Sequence, residues 1–317
     1  MLFRSELIRN SIILRDGLVA DGLAVPTCGV YTYYNGGRFV IGWTDERSSA
    51  TGGSAIYGTA VDSNGNGGSA DGSLIGDSGG YDSRPDITLY NGYCFTVWEN
   101  ETDNSVWQCV FPFNDGPNPS LTTQVYASGR IRPRVCEANS GVILYALDVS
   151  STPAIIGNRY DGGGNLIDGA GVRLIEANGL NGYSVSRGDS GSVILFRDNR
   201  SGTSDAYLAR VGSWLTLVDG TMTSAGQRVI TDISQVAGLS YDSRTYNLLA
   251  CAFKSGTNAV QFERVRVFDL QRMQTPDGVM NRINNVADLQ LGVVCDQRGA
   301  GHIAFVTMAP ASGRDVR

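Results

Sequence analysis

The chain has 317 residues, 42% of them hydrophobic, enough for a large core and too apolar for a disordered polymer. Its net charge of −6 comes without any acidic or basic block, so there is no electrostatic footprint for nucleic acid. No run approaches the roughly 18 apolar residues of a membrane-spanning helix, and Met1-Leu2-Phe3-Arg4-Ser5-Glu6 lacks the pattern of a signal peptide.

Glycine is the compositional outlier, at 41 residues, about 13% against a usual level of roughly 7%. It clusters with Asn, Asp and Ser between short apolar runs, which is turn chemistry for many strands. In chain order, the first strand candidates are Met1 to Ile8 and Ser11 to Arg15. Then come Pro26 to Val30, the turn Asn35-Gly36-Gly37, an apolar strand Phe39 to Trp43, and a third strand Ala55 to Val61 closing on Asp62-Ser63-Asn64-Gly65-Asn66. The same order returns as Pro85 to Leu89, Asn91-Gly92, Cys94 to Trp98 and Ser105 to Val110. It returns again as Pro133 to Cys136, Asn139-Ser140-Gly141, Val142 to Tyr145, Ala154 to Tyr160 and Asp161 to Asn165. Further on, Gly188-Asp189-Ser190-Gly191 precedes Val193 to Phe196, and the anchors Leu249 to Phe253 and Ile303 to Val306 follow.

The anchor strands end at residues 43, 98, 145, 196, 253 and 306, successive ends being 47 to 57 residues apart. The step from Val306 through the C-terminus to Trp43 is 54 residues, so six similar units use up the chain as a circle. Four antiparallel strands in about 50 residues make a propeller blade. The expectation is an all-β fold, one β-propeller over 1–317 with six four-stranded blades. Their intervals are 23–80, 81–127, 128–178, 179–233, 234–285, and 286–317 joined by 1–22. The N-terminal strands would complete the last blade and leave no open sheet edge.

The run Asn35 to Arg47, with Ile56-Tyr57-Gly58 and Asp62 to Asn66, resembles a bacterial and phage propeller repeat of the form W-x-D-x-R, I-Y-G, D-x-x-G-N. Phe196-Arg197-Asp198-Asn199-Arg200 is similar to its middle and Asp161 to Asn165 to its end. The resemblance implies a scaffold and no particular chemistry.

Six cysteines lie in strand-like runs without metal-site spacing, and with His302 the only histidine no metal site is expected. Cys94 and Cys109 flank one hairpin. A turn centred on Glu101-Thr102 would set them opposite each other, within disulfide reach. Gly76-Asp77-Ser78-Gly79-Gly80 and Gly188-Asp189-Ser190-Gly191 look like protease nucleophile motifs, yet both fall where blades need turns and no histidine lies nearby in the sequence. Arg187-Gly188-Asp189 spells an adhesion tripeptide within one of those turns. The Asp62 and Asp161 loops read as hairpins sooner than calcium loops, each offering one carboxylate. Asp45/Arg47 and Asp198/Arg200 read as turn braces or blade-to-blade ion pairs.

Arg84 and Arg132 stand at equivalent places before the first strand of neighbouring blades. They form the ligand-binding candidate, since paired guanidiniums suit a carboxylate or phosphate. Three functions compete. One is a structural or host-interaction component of a phage virion, partnered by other assembly proteins or by itself. The second is a glycan-binding propeller using aromatics such as Tyr31, Tyr33, Tyr34 and Trp107. The third is a glycoside hydrolase, which needs two carboxylates at a set spacing. Isolated acids such as Glu99 and Glu137 exist, but sequence alone places no pair. The chain is therefore expected to be a virion protein, not an enzyme, without cofactor, metal or catalytic residues. A cytoplasmic location, or export by a non-classical route, is the alternative.

Overall fold

The computed structural model describes residues 38–45, 53–62, 72–113, 116–139, 141–150, 152–242, 246–256, 260–271, 279–280, 289–295, 301–309 and 313–316. The N-terminal strands expected to complete the last blade, Cys28, Tyr31, Tyr33, Tyr34, Arg47 and the loop after Asp62 lie outside the described residues. The chain falls into two compact units, Met1–Val135 and Cys136–Arg317.

The first unit contains β1 (Arg38–Asp45), β2 (Ala55–Asp62) and β3 (Ser73–Gly76), paired in that order, then β4 (Asp82–Tyr90), β5 (Tyr93–Asn100), β6 (Ser105–Pro112) and β7 (Thr123–Tyr126) as a four-stranded sheet. The strand β8 (Arg130–Ala138) runs on into the second unit, where it forms a sheet with β9 (Gly141–Asp148), β10 (Ala154–Arg159) and β11 (Val172–Glu176). Two more four-stranded sheets follow: β12 (Tyr183–Arg187), β13 (Gly191–Asp198), β14 (Asp205–Gly212) and β15 (Gln227–Ile230), then β16 (Ile233–Asp242), β17 (Asn247–Lys254), β18 (Val260–Arg266) and β19 (Val279–Met280). Last come β20 (Leu289–Cys295), β21 (Gly301–Ala309) and β22 (Gly313–Val316). Among the described residues the sheets are antiparallel meanders, and the only helical element is the 3₁₀ turn Pro119–Leu121.

One irregularity recurs. The pairing of the third strand with the fourth slips between Ile56 and Tyr57, Val106 and Trp107, Ile155 and Ile156, and Ala206 and Tyr207. A bulge at one place in four sheets increases the local twist in the same way each time. The residue just after the bulge is the one that stands opposite the anchor in the neighbouring pair: Trp43 faces Tyr57, Trp98 faces Trp107, and Phe196 faces Tyr207. The anchors Trp98 and Phe196 are fully buried. Gly76 is what lets Trp98 in, since a Cβ there would lie 2.4 Å from the indole Cη2.

Two of the expected anchors are out of phase. In the third unit the equivalent of Trp98 is Ala146, opposite Ile156, while Tyr145 faces Gly157 on the other side of the sheet. In the fifth it is Ala252, opposite Gln261, and Phe253 is displaced by one. A one-residue step reverses the face of a strand residue. Tyr145 therefore enters a different environment, where its hydroxyl is hydrogen-bonded to Ser192.

Candidate functional site

Pairing of β4 with β5 sorts their residues onto two faces. Ile87, Leu89, Cys94 and Trp98 share one face and join an apolar cluster with Cys109 and Phe111. The opposite face carries two acids. Asp86 stands across from Val97, and Glu99 follows two residues along β5, so they are diagonal neighbours. Asp86 is 4% and Glu99 3% exposed, which requires that their oxygens find partners. The edge of β8 supplies them: Val135 N–H donates to Asp86 Oδ2 at 2.9 Å and Arg132 N–H to Glu99 Oε2 at 2.8 Å.

Cations complete the cluster. Arg84 Nη1 lies 2.9 Å from Glu99 Oε2 and 2.9 Å from Glu101 Oε1, and Ser83 Oγ donates to Glu101 Oε1 at 2.7 Å. Arg84 and Glu101 are its solvent-facing members, with side chains 36% and 45% exposed. Burial pushes Asp86 up to about 6, only partly opposed by the charge of Arg134 and the N–H groups of Val135 and Ile87. Arg84 and Arg132 each have φ of +52°, a left-handed conformation that costs a non-glycine residue on the order of 1 kcal/mol or more. The β4–β5 register shifts between Ser83 and Asp86, around Arg84. Such strain persists only where the surroundings hold it, and it concentrates at functional sites.

Arg84 and Arg132, picked out from sequence as a ligand site, are thus brought together at Glu99, one through its guanidinium and the other through its backbone N–H. Asp86 was missed. Its signal was modest: a carboxylate interrupting the apolar run Pro85 to Leu89.

Asp82, on the opposite face from Asp86, explains a motif. Burial pushes it up to about 7. Ser78 N–H donates to its Oδ2 at 2.8 Å and Ser78 Oγ to its Oδ1, while Asn100 Nδ2 donates to Ser78 Oγ at 2.7 Å. The serine of Gly76 to Gly80 therefore caps a buried acid. The lone histidine, His302, belongs to β21 in the other unit.

The cross-strand disulfide expected between Cys94 and Cys109 is corrected by register. The β5–β6 turn spans Glu101 to Asn104, with Asn100 opposite Ser105; Cys94 consequently faces Phe111 and Cys109 faces Thr96. Both are free, buried thiols, pushed by burial up to about 12 and about 11. Asp198 and Arg200 brace a turn, with Arg200 Nε 2.6 Å from Asp198 Oδ2 and its guanidinium 4.0 Å from the centre of the Tyr207 ring. In the Asp161 loop, Oδ1 accepts the N–H groups of Gly163 and Asn165 at 2.8 Å each, the bonding of a tight hairpin. Glu137 pairs with Arg187 at 2.9 Å.

No family model matches the chain, and no curated protein does. Solved structures do. A protein of unknown function from Dyadobacter fermentans aligns over 93% of both chains with a TM-score of 0.58 and 13% identity. The Aleuria aurantia lectin, solved with α-methyl-L-fucoside, aligns over 93% of this chain and 96% of its own with a TM-score of 0.56 and 11% identity. A putative 6-phosphogluconolactonase from Bacteroides fragilis aligns over 93% and 83%, with a TM-score of 0.55 and 16% identity. The fold is all-β and of the propeller type.

Two expectations change with these similarities. The chain was expected not to be an enzyme. That is corrected: the fold is shared with a putative lactonase. The expected virion role finds no support among these similarities.

Proposed function

We propose that the chain is a closed six-bladed β-propeller that hydrolyses glycosidic bonds, with Asp86 as general acid and Glu99 as general base. The six described sheets, each drawn from one successive stretch of sequence, support the blade count. Two of the similar structures have sugar-related names, a fucoside-bound lectin and a putative 6-phosphogluconolactonase, which supports the substrate class.

The observation that carries the reading is the pair of acids sharing one sheet face while differing in surroundings. Asp86 is buried beside a backbone N–H and raised to about 6, whereas Glu99 lies against a guanidinium. Environments that separate two carboxyls in this way assign them acid and base roles. The backbones of diagonal neighbours on a sheet stand roughly 7–8 Å apart, and their side chains reach across that gap. Inverting glycosidases hold their two carboxyls roughly 6.5–9.5 Å apart, leaving room for a water. In the reaction, Asp86 gives its proton to the glycosidic oxygen as the bond to the anomeric carbon breaks. Glu99 takes a proton from the water whose oxygen attacks that carbon. The products are a hemiacetal and an alcohol. Arg84 and Glu101, facing solvent, meet the substrate hydroxyls first.

The test is release of reducing sugar and of nitrophenol from a panel of polysaccharides and nitrophenyl glycosides between pH 4 and 8. Wild-type protein should be most active below about pH 6, where Asp86 keeps its proton. Asp86→Asn and Glu99→Gln should each lower the rate by roughly 10²–10⁴-fold with far-UV spectra unchanged. No turnover by wild type across the panel, or an Asp86→Asn rate within tenfold of it, ends this reading.

A further inference from the structure

In the second unit, a turn closed by a backbone hydrogen bond follows the third strand three times, over five residues twice and over six once. Asp161 N–H donates to Asn165 O, Gly212 N–H to Thr216 O, and Arg266 N–H to Gln271 O. Each has one residue at positive φ, Gly164, Leu215 or Leu270, and all three are buried. At the tip stand Gly163, Trp214 and Phe268. Gly163 shows that the five-residue turn forms with no side chain at that place. Yet Trp214 and Phe268 hold large rings there, 75% and 59% exposed, each with one guanidinium 4.9 Å from its centre, that of Arg159 over Trp214 and that of Arg266 over Phe268.

Phe268 lies on the wall of a cleft of about 170 Å³. The rest of the wall includes the β12–β13 turn with Asp189 and Ser190, and Arg210 at the end of β14. These turn residues belong to the Arg-Gly-Asp and Gly-Asp-Ser-Gly motifs, whose glycines close the β12–β13 turn through Gly188 N–H to Gly191 O. Arg187 is committed to Glu137. Asp189 and Ser190 use only their backbone oxygens, accepting from Asn139 Nδ2 at 2.8 Å and Ser213 Oγ at 3.2 Å. The Asp189 carboxylate and Ser190 hydroxyl have no partner among the described residues. Arg210 spends Nε and one Nη2 hydrogen on Asp219 and one Nη1 hydrogen on Phe268 O. Of its five N–H donors, one on each terminal nitrogen is left over.

We infer that this cleft binds one ring of a neutral saccharide. The volume is below the roughly 300 Å³ of drug-sized pockets and suits a single ring. The face of Phe268 that the Arg266 guanidinium does not cover offers an apolar surface for the C–H side of a pyranose, as aromatic groups with one wet side do at interfaces. Asp189 is acceptor-only when ionised and takes two neighbouring hydroxyl hydrogens; Arg210 donates to a third oxygen. An anionic ligand fits poorly, because the Asp189 carboxylate faces it and Asp219 already neutralises Arg210. The proposal shares the ligand class of the preceding reading and none of its residues.

The probe is a printed array of neutral mono- and oligosaccharides, followed by calorimetric titration with the methyl glycoside of the best ligand. Phe268→Ala and Asp189→Asn change exposed side chains, and unaltered melting curves would confirm their folding. Wild type should retain at least one neutral sugar, and each variant should weaken it tenfold or more. Asp86→Asn should bind as wild type does, so that failed hydrolysis and failed binding are told apart. Absence of any retained sugar, or wild-type affinity in both cleft variants, overturns the inference.

Discussion

The β4–β7 and β12–β15 sheets share one plan around their anchors and differ in the residue that follows the anchor. Both bury an aromatic anchor, Trp98 or Phe196, opposite a second aromatic, Trp107 or Tyr207, at the same bulge. The residue after the anchor is Glu99 in one and Arg197 in the other. Glu99 is buried and depends on Arg84 and the Arg132 N–H. Arg197 is half-buried and donates to Ser204 Oγ at 2.6 Å. The repeat thus specifies anchors, bulges and turns, and chemistry enters where a copy departs from it. The two candidate sites follow this rule: buried acids beside strained arginines in one unit, and in the other an exposed ring and an uncommitted carboxylate.

The largest effect expected is on rate. Loss of roughly 10²–10⁴-fold in Glu99→Gln contrasts with none in Arg197→Gln, measured on the same glycoside. Next is stability. Arg84→Ala leaves Glu99 buried without its cation, which costs about 3 kcal/mol; Arg197→Ala loses one half-buried hydrogen bond, about 1 kcal/mol. Urea unfolding of both variants at pH 7 measures the difference. Equal costs would mean that the two positions are equivalent after all.

A further contrast lies in pH. Folded Asp86 keeps its proton up to about 6, while the unfolded carboxyl loses it near 3.8. Between those values the folded state binds more protons, so its stability falls as pH rises from about 4 to 6 and then levels. The penalty at neutral pH is on the order of 3 kcal/mol. Asp86→Asn removes it and can still accept the Val135 N–H. The variant should therefore be inactive yet gain stability over wild type, with the gap opening between pH 4 and 6.5. A gap independent of pH would show that Asp86 is not raised.

The regular part of this design was legible in the sequence. Apolar runs between Asn-Gly turns mark the strands because period-two burial and positive-φ turns both leave compositional traces. Trp98 and Phe196 were found as anchors for that reason. Tyr145 and Phe253 were misphased because a spacing of about 50 residues tolerates a one-residue error, whereas a strand face does not. The Cys94–Cys109 register failed on a turn two residues longer than assumed. Arg84 and Arg132 stood out by their equivalent positions. Their common partner, Glu99, was only one isolated acid among several, since a diagonal contact depends on the bulge around Arg84, which no local composition announces. The saccharide cleft was hidden differently: its residues come from three separate segments, and Asp189 and Ser190 were absorbed into a turn.

The smallest effect tests the strain itself. Arg132→Gly and Arg132→Ala both delete the side chain and keep the N–H that Glu99 accepts. They differ in what φ of +52° costs: alanine retains the left-handed penalty, while glycine has none but loses more chain entropy on folding. At this position glycine should be the more stable by about 1 kcal/mol. Arg134, on the same strand and without a positive φ, should give the opposite order, alanine being favoured by roughly 0.5–1 kcal/mol. Unfolding curves of the four variants, read as two differences, cancel the lost side-chain contacts at each position. If both positions favour alanine, Arg132 is not strained, and the close approach of its N–H to Glu99 comes without cost. If they split as expected, the sequence keeps an arginine where glycine would hold the backbone more easily, and its side chain is retained for what it meets beside the acid pair.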